Sequence, residues 1–327
     1  PEARFDWLPL ALVALLMLAA LPLIGSASTW ATLTVAGLAM GMIVFIIASG
    51  LTLVFGLMDV LNFGHGVFIA LGAYLATSVF AAMSGWTMAP QAWRNLVPVF
   101  ATMAVAMLAA GAVGWAFERV LVRPVYGAHL KQILITMGGM IIGEELIKVV
   151  WGATPITIEM PEALRGVVGL FGDAAVEKFR LFAAAVGAIV LVAMLFVLNR
   201  TKLGLLIRAG VQDREMVEAL GYRIRVLFVG VFVAGSALAG LGGALWGLYQ
   251  HGVVPTIGAQ VNVLIFIVII IGGLGSTTGC LVGALLVGLM ANYTGFLAPK
   301  VATFSNIGLM VVVLLWRPQG LYPVANR

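Results

Sequence analysis

Apolar residues run almost unbroken along this chain, and short polar or glycine-rich gaps punctuate them. A hydrocarbon core about 30 Å thick needs roughly 20 helical residues per crossing. Measured against that length, the runs predict spans at 7–24, 30–50, 66–83, 97–117, 131–150, 181–198, 227–249, 262–274, 280–296 and 301–316. The predicted class is an all-α polytopic membrane protein, one domain over 1–327, with about ten transmembrane helices and one or two broken or re-entrant segments. The span 262–274 is short enough to be the re-entrant one. Residues 8–24 followed by Gly25, Ser26 and Ala27 also have the outline of a signal peptide. Glu2 and Asp6 spoil the basic segment that would precede one, so the span is expected to be retained.

Composition removes the soluble alternative. Charged residues are 9% of the chain and hydrophobic ones 62%, against roughly a quarter and a half in globular proteins. So few charges cannot coat a water-facing surface. The net charge of +5 would suggest nucleic acid in a soluble protein; here it follows topology, and no nucleic-acid partner is expected. The segments 1–6, 118–131, 199–226 and 317–327 hold twelve Lys and Arg, and the opposite loops 84–96, 151–180 and 297–300 hold five. The positive-inside rule therefore puts both termini and the 199–226 loop in the cytoplasm, with 151–180 on the far side. The tryptophans agree, because all eight lie within a few residues of a span end, where indoles settle in the headgroup layer. A single cysteine, Cys280, and three histidines without ligand spacing leave no disulfide framework, metal site or cofactor to expect.

Three polar segments stand out. The first is Gly56 to Gly66, containing Asp59, Asn62, Phe63, Gly64 and His65. Residues 30–83 exceed two crossings by about 14 residues, and this stretch fills the surplus. It is either a cytoplasmic turn or a helix break that lines a cavity, where irregular backbone is tolerated. A helix starting near Gly66 would aim free N–H groups at an anionic group. The second, Ile271 to Gly279, is glycine-rich too and carries no charge, with Gly272, Gly273, Gly275 and Ser276 at its centre. Paired interruptions of this kind point to a transport site. Small residues at spacing four, Gly235, Ala239, Gly243 and Gly247 and then Gly275, Gly279 and Gly283, mark close helix packing.

The third is the loop 199–226. Asp213 is suited to cap a short helix over 213–220, with Arg214 and Glu215 in its first turn and Gly221 just past its end. Met216, Val217 and Leu220 are expected on one face, with Arg214 and Glu218 on another. Two turns are marginal alone, so the helix docks either on a cytoplasmic protein or on lipid headgroups. Glu144 and Lys148, at helical spacing beside Glu145, are placed to neutralise each other. No P-loop, G-x-S-x-G or H-E-x-x-H occurs, so the chain is expected not to be an enzyme and to draw its energy from elsewhere.

The run from Gly50 to Tyr74 closely resembles the branched-chain amino-acid ABC transporter permease family. Glu118-Arg119 through Arg123-Pro124 is similar to that family's cytoplasmic signature, and Thr201 to Arg208, continuing to Gly221, to its ATPase-coupling loop. Gly272 to Ser276 and Arg317-Pro318-Gln319-Gly320 match as well, and the span at 7–24 is an addition to the shorter members. The resemblance implies an importer of the bacterial inner membrane. It would hold two homologous permeases, more naturally a heterodimer, with two cytoplasmic ATP-binding subunits and a periplasmic binding protein. It further implies that Arg208, Asp213, Arg214, Glu215, Met216, Glu218, Leu220 and Gly221 couple to the ATPase. The same resemblance favours Asn62 to Gly66 as part of the substrate path or gate, and the paired interruptions add Gly272, Gly273, Gly275 and Ser276 as candidates for it. Branched-chain amino acids, urea, amides and other small carboxylates all stay open as cargo. So do an ion-coupled secondary transporter, for which Asp59, Glu144 and Glu145 would be the carriers, and a passive channel.

Overall fold

Every apolar run named above is helical in the computed structural model, which describes residues 7–89, 91–212 and 214–323. Helices α1 (Leu8–Ile24), α2 (Ala27–Met58), α3 (His65–Ala82), α4 (Ser84–Thr87) and α5 (Ala92–Phe117) form the first part. Then come α6 (His129–Trp151), α7 (Lys178–Arg200), α8 (Lys202–Gln212), α9 (Arg214–Ala219) and α10 (Ile224–Tyr249). The chain closes with α11 (Ile257–Gly272), α12 (Thr277–Leu297) and α13 (Ala302–Trp316). Among the described residues six helices are both long and apolar enough to cross a membrane, and three shorter apolar ones, α1, α11 and α13, accompany them. Helix α6 has the length but carries Lys131, Glu144, Glu145 and Lys148.

Local chemistry sets the ends. Ser26 accepts from Thr29 N to start α2, and Ser276 accepts from Gly279 N at 3.1 Å to start α12. Helix α1 stops at Gly25, whose φ of +73° suits glycine. It is tied into the bundle, packing on α2 and α12, with Trp30 Nε1 donating to Met17 O at 2.8 Å.

One expectation about length needs correction. The run ending at residue 50 continues as helix to Met58, so α2 has 32 residues and is about 48 Å long at 1.5 Å per residue. Only 59–64 is left as a break. Nothing in 51–58 stops a helix except Gly56, and there the missing side chain is used: a Cβ would sit 3.0 Å from the Gly275 backbone. The class is all-helical as expected, with only a few short strands beside the helices. The 151–180 segment carries β1 (Ile156–Thr157), β2 (Val167–Gly169) and β3 (Ala175–Glu177); β2 pairs with β3, and β1 with β4 (Gly252–Val253). These strands are two or three residues long, too short to leave a periodic signal.

Helix α2 lies at the centre, enclosed by α7, α10 and α12, while α10 also packs on α3 and α5. Small residues set these crossings. A Cβ on Gly235 would meet Gly50 O at 2.7 Å, and Cβ atoms on Gly72 and Gly243 would strike the backbones of Gly240 and Ile69. Buried backbone cannot yield as a side-chain tip can, so Gly72→Leu is expected to unseat α3 from α10. Membrane-inserted folded protein should fall severalfold, read by size-exclusion of a fluorescent fusion; unchanged yield would contradict this packing. The second predicted stripe is shorter than expected. Gly275 stands in the turn before α12 at φ +80°, and only Gly279 and Gly283 face α11 from within the helix. Glu144 and Glu145 both pair with Lys148, at 3.2 and 2.8 Å.

Candidate functional site

The break after α2 folds inward. Asp59 ends the helix in the left-handed region at φ +54°, and His129 Nε2 lies 3.7 Å from its Oδ2. Six residues later α3 begins, and there His65 Nε2 lies 3.1 Å from Ile47 O. Ile47 stands eleven residues before the end of α2, about 16 Å back along its axis. Six extended residues reach about 20 Å. The segment therefore runs back along α2, and α3 starts inside the bundle instead of at its end.

Side chains from distant helices hold that segment. Phe63 N donates to Thr136 Oγ1 at 3.2 Å, and Thr136 Oγ1 donates to Gln132 O on α6 at 2.7 Å. Asn262 Nδ2 of α11 donates to Phe63 O at 2.9 Å. Asn62 and His65 are buried. With Nε2–H given to Ile47, His65 Nδ1 is an acceptor (the tautomer assigned from that bond). Of the seven buried side-chain polar atoms without a hydrogen-bond partner among the described residues, four belong to this segment and the helices beside it: Asn62 Oδ1, His65 Nδ1, Gln132 Oε1 and Asn262 Oδ1. Each such orphan costs about 1–3 kcal/mol. Aromatic rings surround the segment. Phe63 stacks on Phe266 at 4.6 Å, and Phe68 meets Phe117 edge-on at 5.5 Å. Below His65 the α3 and α11 backbones touch: a Cβ on Gly66 would lie 2.8 Å from Gly258 O and 3.0 Å from Met140 Cε. Gly64 is closed by the Phe117 ring.

The second glycine-rich segment is elsewhere. Gly272 and Gly273 end α11, ten residues beyond Asn262, or about 15 Å along the helix. Gly273 and Gly275 have φ of +99° and +80°, and Ser276 caps α12, so the segment is a tight hairpin turn. The C-terminal stretch binds it, with Leu321 N donating to Ile271 O and Tyr322 N to Gly272 O, both at 2.9 Å. The structure brings Asn62, Phe63, Gly64, His65 and Gly66 together and does not bring Gly272, Gly273, Gly275 or Ser276 to them.

In the 199–226 loop Asp213 lies outside the described residues, as do the side chains of Arg208, Arg214 and Glu215. Helix α9 ends as expected, with Gly221 at φ +87° and its N–H donating to Glu218 O at 2.9 Å. Its faces differ from the expectation. Val217 is 3% exposed and turns into its own chain, whereas Met216 and Leu220 are 60% and 69% exposed. Helix α8 was read as loop; Gly204, Ile207 and Gly210 bury its inner side. Asn262, Gln132, Thr136 and Gly258 were missed as site residues. A lone Asn in the apolar run 257–272, and Gln132 and Thr136 one turn apart, were the available signals.

A bundle of long apolar helices around a buried polar break is the architecture of a multi-pass membrane protein. The profile of the family described as "Branched-chain amino acid transport system / permease component" matches residues 33–315, and the chain belongs to that family. It is 27% identical over 297 residues to the high-affinity branched-chain amino acid transport system permease protein LivH of Escherichia coli K12, covering 87% of this chain and 92% of that protein. Its identity to the corresponding BraD of Pseudomonas aeruginosa PAO1 is 30%, over 87% of this chain and 93% of BraD. To the E. coli K12 permease protein LivM it is 28% identical over 96% of this chain and 75% of LivM. No solved structure matches the chain.

Proposed function

We propose that this chain is the membrane-spanning subunit of an ATP-driven importer for branched-chain or related small amino acids, and that it supplies half of the translocation path. The observation that carries this is the group of unpaired acceptors at Asn62, His65, Gln132 and Asn262, buried where α3 and α11 touch through glycine. In a low-dielectric passage these neutral groups replace water around a zwitterion without the grip of a fixed charge. The Gly66–Gly258 contact is the gate. Similarity to both LivH and LivM supports pairing with a second, homologous permease. Exposed Met216 and Leu220 on α9 suit a cytoplasmic ATP-binding subunit, and a periplasmic binding protein delivers the cargo. The uncharged lining also suits neutral amides or urea, so cargo is settled by competition.

The test is uptake of labelled leucine by inverted-topology-controlled proteoliposomes that hold this chain, its partner permease and the ATP-binding subunits, with binding protein outside. ATP-dependent accumulation, competed by isoleucine and valine, is the expected result. ATP-independent equilibration would establish a channel, and accumulation driven by an ion gradient a secondary transporter. Orientation is tested separately. A reporter active only in the periplasm, fused after Arg327, is expected to be silent because both ends face the cytoplasm; a strong signal would reverse the topology.

A further inference from the structure

The signature Glu118 to Val125 has no part in the path described above. Its backbone is unusual: α5 gives way to a π turn over Glu118–Val122 and a 3-10 turn over Arg123–Val125. Glu118 is 1% exposed, and the Tyr126 hydroxyl donates to its Oε1. A buried carboxylate ordinarily has a cation beside it. Among the described residues none pairs with Glu118, and Arg123 and Arg225 have no carboxylate partner either. All three line one cavity of about 540 Å³, together with Trp115, Tyr126 and Val226. Arg225 stands in the first turn of α10, where the helix dipole favours anions, so that corner holds more positive charge than its own residues neutralise. The mouth is apolar: Trp115 and Val226 are exposed on the bundle's outer surface, and Arg119 lies over the Trp115 ring at 5.5 Å.

We propose that this cavity holds the headgroup of an aminophospholipid, its ammonium on Glu118, its phosphate between Arg123 and Arg225, and its acyl chains along Trp115 and Val226. One buried carboxylate beside two guanidinium groups that have no carboxylate partner among the described residues matches a zwitterion better than a purely anionic lipid. An apolar mouth on the outer surface matches a lipid better than a free solute. Basic pockets between membrane helices are known headgroup sites. Placement in the cytoplasmic leaflet rests on the topology proposed above, whereas the binding test does not depend on it.

The experiment is native mass spectrometry of the full chain, titrated with phosphatidylethanolamine, phosphatidylglycerol and phosphatidylcholine of identical acyl chains, with and without free leucine. Phosphatidylethanolamine is expected to bind tightest. Glu118→Gln should weaken it on the order of tenfold, the loss of one charge-assisted hydrogen bond, and leave phosphatidylglycerol unweakened. Arg123→Ala with Arg225→Ala should weaken all three. If Glu118→Gln fails to fold, Arg225→Ala alone, a change at an exposed side chain, carries the test. Equal binding of the three lipids, preference for phosphatidylglycerol, or indifference to these substitutions would overturn the proposal. Displacement of the lipid by leucine would overturn it in favour of a free amino-acid site.

Discussion

Gly66→Leu is expected to abolish uptake while assembly with the ATP-binding subunits and basal ATP hydrolysis persist. The added Cβ would stand 2.8 Å from Gly258 O, and a Cβ on Gly258 would collide with Gly66 O in return. Both obstacles are backbone, so relief requires α3 and α11 to separate. Overpacking of this kind costs about 1–3 kcal/mol, or roughly ten- to a hundredfold in the population of the closed gate. Gly138→Leu is the control, since nothing lies within 4 Å of a Cβ there. Equal uptake by the two variants would remove the α3–α11 contact from the transport cycle. Asn62→Ala should slow uptake with a smaller effect on assembly.

The second large effect is expected at α9. Replacing Glu218 and Leu220 together by Ala should reduce ATP-driven uptake at least tenfold with normal membrane insertion. Glu218 and Leu220 are exposed while the buried Val217 anchors the helix to the chain, so the double replacement leaves that anchor in place. An apolar side chain buried at an interface is worth about 1.5–3 kcal/mol, which converts to at least tenfold in occupancy. ATPase copurification should fall in parallel. Full uptake by the double variant would assign the helix to the headgroup layer instead.

The helices were legible because a membrane span needs only continuous apolar length, and each run is helical. Their ends were less so. Residues 51–58 have no stop signal, and the gain from packing Gly56 on Gly275 is invisible until α2 and α12 are side by side. Helix α8 was missed because Lys202–Gln212 hides a buried face of Gly204, Ile207 and Gly210 among exposed leucines. At the site, glycine and polarity marked Asn62 to Gly66. What completes it, Ile47 O, Gln132, Thr136, Gly258 and Asn262, comes from α2, α6 and α11 through contacts that no local pattern encodes. The two glycine-rich segments looked alike in sequence, yet one is a buried re-entry and the other a capped hairpin, because only the second has an N-cap serine and a C-terminal stretch bound to it.

The claim that the buried break lies on the substrate path is tested most directly by thiol accessibility. Cys280 is the chain's one cysteine and is buried, so Cys280→Ser gives a silent background. In it, Asn62→Cys is measured with a membrane-impermeant reagent in the assembled transporter. The expected result is no reaction at rest, reaction during ATP turnover, and protection by saturating substrate. Free reaction in every state, with unchanged uptake in Gly66→Leu, would contradict the account.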